Sequence, residues 1–184
     1  MPDRYRSIFV KCSALLHAPD EHRRYDMDAL VRSMGFGHVL ALTELNAVPP
    51  RTLPFYFLHG GLPSHVKARL IKGLRSSEEL RRRYAPIICV LPHGPRHQII
   101  GQIEMGFDEV VFLNEPVTES ARTLTSQLNR EVLYIEAPNY FGPDRRRLER
   151  ISRDDSRRVP GGTMHHRIQV VRDPDRGIRA TYER

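Results

Sequence analysis

Short apolar runs alternate with amphipathic stretches along the first 130 residues of the chain. The longest run, Leu53–Leu58, stops at His59-Gly60-Gly61. Its consecutive Phe55-Tyr56-Phe57-Leu58 leave no polar face, which predicts a strand covered on both sides of a parallel sheet. Pro86–Leu91 and Glu109–Leu113 repeat the pattern, and His38–Leu42 is a shorter version of it. Ser7–Leu16 reads as an opening strand region, with Ser13–His17 as its buried part. Between these runs the period changes. Tyr25, Ala29, Leu30 and Met34 follow one helical face from Glu21 to Gly35, a C-cap glycine. Val66, Leu70, Ile71 and Leu74 recur at helical spacing after Pro63, with Lys67, Arg69, Lys72 and Arg75 placed on the opposite side. Arg96–Met105, closed by Gly106, and Val117–Asn129 complete the helices. Thr43–Arg51 reads as a weak helix or turn, and Ser76–Tyr84 as a charged connection or helix extension.

This alternation predicts an α/β fold, a doubly wound five-stranded parallel sheet with helices on both faces, over residues 1–130. Residues 131–184 form a basic C-terminal extension. Within it, 144–163 is Arg-rich and poor in apolar residues, the composition of a mobile linker. Arg167–Val171 and Ile178–Tyr182 then alternate around Asp173-Pro174-Asp175 and Gly177, which predicts a hairpin over 167–182. A lone hairpin is marginal in water and needs something to dock on.

Charge sharpens the division. The formal net charge is +7, but residues 145–184 carry 12 Arg against 6 Asp or Glu, giving +6. Residues 1–144 carry 17 Lys or Arg against 16 acids, giving +1. A basic tail of this kind is a solvated linker, a dock for an acidic partner or a nucleic-acid arm. Few aromatics interleave with the arginines for base stacking, which weighs against nucleic acid. No apolar run reaches the roughly 18–20 residues of a membrane-spanning helix. Cys12 and Cys89 sit in apolar surroundings without metal-ligand spacing, and no signal-peptide pattern opens the chain. A cytoplasmic setting is the expectation.

An open α/β sheet places its chemistry at the carboxyl ends of its strands. Those ends carry His17-Ala18-Pro19-Asp20, His59-Gly60-Gly61, Leu91-Pro92-His93 and Asn114-Glu115-Pro116. Over Cys12–Asn129 the pattern resembles the response-regulator receiver domain. Leu53–Pro63 is similar to that family's third strand, with Leu62-Pro63 at its Met-Pro-like pair. Pro86–Gly106 resembles the fourth strand and following helix, and Asn114-Glu115-Pro116 stands where the family has Lys-Pro. Glu21-His22, Gly35-Phe36 and the string Tyr140–Arg147, YFGPDRRR, resemble a subset found chiefly in alphaproteobacteria.

The resemblance implies phosphoryl transfer to an aspartate, held by a magnesium ion and read by a lysine and a hydroxyl. Three anionic oxygens must be neutralised, and magnesium wants oxygen ligands. At the corresponding positions this chain has His59 for the acceptor, Ala18 and Pro19 for the acidic pair with only Asp20 beside them, Leu91 for the hydroxyl and Glu115 for the lysine. The expectation is a degenerate receiver without magnesium or any other cofactor and without enzymatic activity. It would bind other signalling proteins independently of phosphorylation through Arg96–Asn129, with Phe112, Glu115 and Pro116 on that face. A homodimer is one arrangement open to such a module, and no membrane is involved. Phe112 reads equally as a core residue. The rival reading is a metal or small-ligand sensor in which His17, His59 and His93 line the crevice with Asp20 and Glu115 near. A second rival is a nucleic-acid-associated regulator using the Arg-rich tail. A phosphorylated His59 is disfavoured, because phosphotransfer histidines stand on exposed helices and this one ends a buried strand. Gly60-Gly61 reads as a tight turn before it reads as a phosphate cradle.

Overall fold

A computed structural model describes residues 3–144 and 165–183. The central element is β3 (Leu53–His59), every residue of which is buried. Parallel partners flank it: β1 (Cys12–His17), β2 (His38–Ala41), β4 (Ile87–Leu91) and β5 (Glu109–Phe112), in the order β2-β1-β3-β4-β5. That order is consistent with a flavodoxin-like fold, whose switch point lies between β1 and β3. The register pairs His17 with Leu58, His59 with Val90 and Leu91 with Phe112, so the carboxyl ends finish level. Helices α2 (Glu21–Met34), α3 (Ser64–Arg75), α5 (Arg96–Met105) and α6 (Val117–Thr125) follow their strands. A 3-10 helix spans Leu42–Ala47 and a single turn, α4, spans Leu80–Arg83. Alternate β3 side chains feed two layers: Phe55 and Phe57 join Met27, Val31 and Leu124, while Tyr56 and Leu58 join Ile71, Leu74 and Ile103. Among the described residues no helix is long and apolar enough to cross a membrane.

Several segments differ from the sequence reading, among them α2, whose buried face is Met27, Leu30, Val31 and Met34 while Tyr25 and Ala29 are exposed. Residues 3–9 form a helix, α1 (Asp3–Phe9), and the strand starts only at Cys12. Tyr5, Ile8 and Phe9 share a helical face, and Phe9 stacks on Phe36 with ring centroids 4.7 Å apart. The final helix stops at Thr125, and Gln127 and Leu128 turn inward before Asn129 adopts a left-handed φ of 54°. On α3, Lys67 and Arg75 are buried with Ile71 and Leu74, although helical spacing placed them on the polar side. Each has acceptors to meet it there: Gly60 and Gln102 for Lys67, and Arg83, Ala85 and Asp108 for Arg75.

The largest difference lies beyond residue 130. β6 (Glu131–Ala137) and β7 (Tyr140–Pro143) form a hairpin that the sequence reading does not predict, and Tyr140–Pro143 of the YFGP string is its second strand. β8 (His166–Asp173) and β9 (Gly177–Tyr182) pair across the 173–177 turn, where Gly177 takes a φ of 84°. Because β6 also pairs with β8, the four make one antiparallel sheet in the order β7-β6-β8-β9. Its core of Val132, Tyr134, Ile168 and Val170 packs on Tyr84. The linker expected over 144–163 lies, apart from Asp144, outside the described residues.

Candidate functional site

The carboxyl ends of the parallel strands are where the sequence places the crevice. His59 closes β3 and is 4 % exposed. The Gly61 backbone N–H donates to its Nδ1 at 3.0 Å, so that nitrogen carries no proton in this arrangement. A side chain at Gly61 would put its Cβ 2.9 Å from the same nitrogen, so the contact requires glycine. Burial lowers the His59 pKa, the charge of Arg23 adds to that, and Asp20 and Asp26 oppose it. His59 is therefore a neutral imidazole whose Nδ1 is already engaged.

The neighbouring positions turn away from phosphate chemistry in different ways. Asp20 is exposed and caps α2, accepting from the Arg23 N–H at 2.9 Å and pairing with the Arg23 guanidinium. Ala18 is half-buried against the core and Pro19 is exposed. Leu91 is buried and leans over the Gly60 backbone, close enough that a Cβ there would lie 2.1 Å from Leu91 Cδ2. Glu115 faces its own loop and helix, accepting from Ser120 Oγ at 2.6 Å and from the Phe112 N–H at 3.3 Å. Phe112 is half-buried against the second core layer, and Pro116 is exposed at the start of α6.

A buried cation near the end of β3 whose place the sequence reading misses is Lys67. It is buried and donates to the Gly60 carbonyl at 3.0 Å and to Gln102 Oε1 at 3.1 Å. The ammonium is thus tied down by neutral oxygens beneath the turn. Helical periodicity hides such a residue, and only its adjacency to the Gly60-Gly61 turn could have suggested it.

His17 is half-buried at the end of β1 and His93 is exposed after β4. Among the described residues no group of three or more His, Cys, Asp or Glu side chains gathers in a way that could hold a metal ion. Cys12 and Cys89 are buried thiols whose pKa values burial pushes up to about 12, so neither is a nucleophile at neutral pH.

A second concentration of chemistry lies at the other end of the same sheet. Asp108, fully buried just ahead of β5, accepts from Arg75 Nη2 at 2.5 Å, Arg172 Nη2 at 2.6 Å, the Tyr134 hydroxyl at 2.6 Å and the Ile87 N–H at 2.7 Å. Burial alone would raise the Asp108 pKa, but Arg172, Arg75 and these hydrogen bonds outweigh it and hold the carboxyl well below its usual range. Arg172 also donates to the Tyr84 carbonyl at 2.7 Å and to Gln127 Oε1 at 3.1 Å. This knot fastens the antiparallel sheet to the amino ends of the parallel strands. No protein-family model and no curated protein matches the chain.

Proposed function

We propose that the chain is a receiver-like signalling module that has lost phosphoryl transfer and works as a phosphorylation-independent protein-binding domain. The reading rests above all on the end of β3. A phospho-acceptor there must be an ionised oxygen nucleophile beside a magnesium site, and the residue is a buried neutral imidazole whose Nδ1 accepts from Gly61. Its surroundings support the same conclusion. Leu91 offers no hydroxyl, Glu115 is an anion where a cation is needed, and Asp20 is committed to capping α2. Of the nearby cations, Lys67 is held by Gly60 and Gln102, and Arg23 pairs with Asp20.

What such a module keeps is its surface. Receivers of the resembled family signal through the segment corresponding to Arg96–Asn129, which includes α5, β5 and α6. Phe112, Glu115 and Pro116 belong to that segment, and other signalling proteins are the partners proposed for it. The test is incubation of the full chain with acetyl phosphate and magnesium, read by intact mass. The expected spectrum is unchanged. A gain of one phosphoryl group that disappears in His59→Asn would end the proposal.

A further inference from the structure

A cleft of about 490 Å³ opens between α3 and the β6–β7 hairpin, at the amino ends of the parallel strands and remote from His59. Its volume lies within the range of small-molecule sites. Ile71, Met105, Tyr140 and Phe141 give it apolar walls, and Lys72, Arg75, Arg83 and Glu136 supply its charges. The imbalance of those charges is the informative feature. Glu136 is already spent, accepting from Arg83 at 2.9 Å and from the Tyr182 hydroxyl at 3.2 Å. Asp108 is one carboxylate bridging two arginines, Arg75 and Arg172, so that buried triad keeps a net positive charge.

Two donors in the cleft wall are also unanswered. Arg75 Nε and Arg83 Nε are both buried without a hydrogen-bond partner among the described residues. Arg75 itself is 3 % exposed, which makes an unmet N–H there costly. Ring contacts do not remove the need. Arg83 lies over Phe141 at 4.3 Å and Arg75 over Tyr134 at 5.1 Å, and a ring below a guanidinium leaves its in-plane N–H groups still seeking oxygen. Excess buried cation, two unmet N–H donors and an exposed lysine at the mouth together describe a receptor for an oxyanion.

We propose that this cleft binds a phosphate dianion, free or carried on a small organic body that packs against the apolar walls. Both Nε atoms are covered in this structure, so the head group would sit against the half-buried Arg83 guanidinium and meet the two Nε–H groups through a small side-chain shift of the cleft wall, with Lys72 closing over it. The proposal stands apart from the fate of the His59 crevice, because it uses other residues at the other end of the sheet. The occupant would also bridge α3 to the β6–β7 hairpin, and its binding would tighten the join between the two sheets.

The experiment is calorimetric titration of the full chain with inorganic phosphate and, separately, with adenosine monophosphate. One-to-one binding of either supports the site. Tighter binding of the nucleotide assigns a phosphate ester, and tighter or equal binding of phosphate assigns the free ion. Lys72→Glu should weaken binding about tenfold or more, the worth of one charge-assisted contact. Arg69→Glu makes the same change in net charge on an exposed α3 position outside the cleft and should leave binding nearly intact. Ala68→Trp, on an exposed α3 residue that lines the cleft, should block the mouth without removing a charge. Failure of both probes to bind at millimolar concentration would overturn the proposal. So would equal weakening by Lys72→Glu and Arg69→Glu, or full binding by Ala68→Trp.

Discussion

The two ends of the parallel sheet are built on opposite plans. At the carboxyl ends, where an open α/β sheet ordinarily does its chemistry, His59 is met by Gly61, Glu115 by Ser120, and Lys67 by Gly60 and Gln102. At the amino ends Asp108, Arg75, Arg172 and Tyr134 form a buried cluster whose members come from four elements or their approaches. Removing a polar group at the first end disturbs one loop. Removing one at the second unfastens two sheets. The contrast shows that buried ion pairing follows the join between the β-sheets in this molecule, whereas the buried Lys67 at the crevice is met by neutral oxygens.

Asp108→Asn should have the largest effect. It leaves Arg75 and Arg172 facing a neutral amide inside the protein, and loss of one partner of a buried ion pair costs about 3–5 kcal/mol. Urea unfolding at neutral pH measures it, and a loss under about 1 kcal/mol would show that the cluster is peripheral to stability. Acid should mimic the substitution. The folded pKa lies below the ordinary value of 3.8, so the carboxylate stabilises the fold fully above that value and loses its contribution as pH falls beneath it.

Gly60→Ala comes next and probes the opposite end. The new methyl meets the Leu91 side chain, so overpacking should cost about 1–3 kcal/mol, more than the gain of about 0.4–1 kcal/mol from stiffening the unfolded chain. In a Leu91→Ala background the same change should cost markedly less. A double-mutant cycle with no coupling would mean that Leu91 does not fill the space beside the β3 turn.

The parallel sheet was legible because its signal is local. A strand buried on both faces shows as an uninterrupted apolar run, and Leu53–Leu58 could be little else. The β6–β7 hairpin was hidden because Glu131–Ala137 mixes buried Val132 and Tyr134 with half-buried Leu133 and Ile135, so no clean alternation appears. Asp108 and Arg75 were hidden for another reason: ion pairs that join distant segments leave no mark on either segment's period. Arg172 was hidden at a strand end: it falls two residues beyond Val170 and four beyond Ile168, on the inward register of β8, but the sequence reading stops that strand at Val171. For the crevice, the positions at the strand ends were readable from topology, but the engagement of His59 Nδ1 and the burial of Lys67 depend on how the turn folds back.

The smallest effect expected is a pH dependence that belongs to His59. Burial disfavours its charged form, with Arg23 adding and Asp20 and Asp26 opposing, so its folded pKa lies below the ordinary value of 6.5. Above 6.5 the ring is neutral in both states and adds no pH dependence. As pH falls through 6.5 toward the folded value, the unfolded chain takes up a proton that the folded chain refuses, and stability drops. His59→Gln can still accept from the Gly61 N–H but cannot titrate. The fall in urea midpoint between pH 7.5 and 5.0 should therefore be steeper in the wild type than in the variant. The remaining histidines are common to both proteins and cancel in that difference. Equal slopes would mean that the imidazole is protonated in the fold as readily as in water, and that the end of β3 is wetter than its 4 % exposure implies.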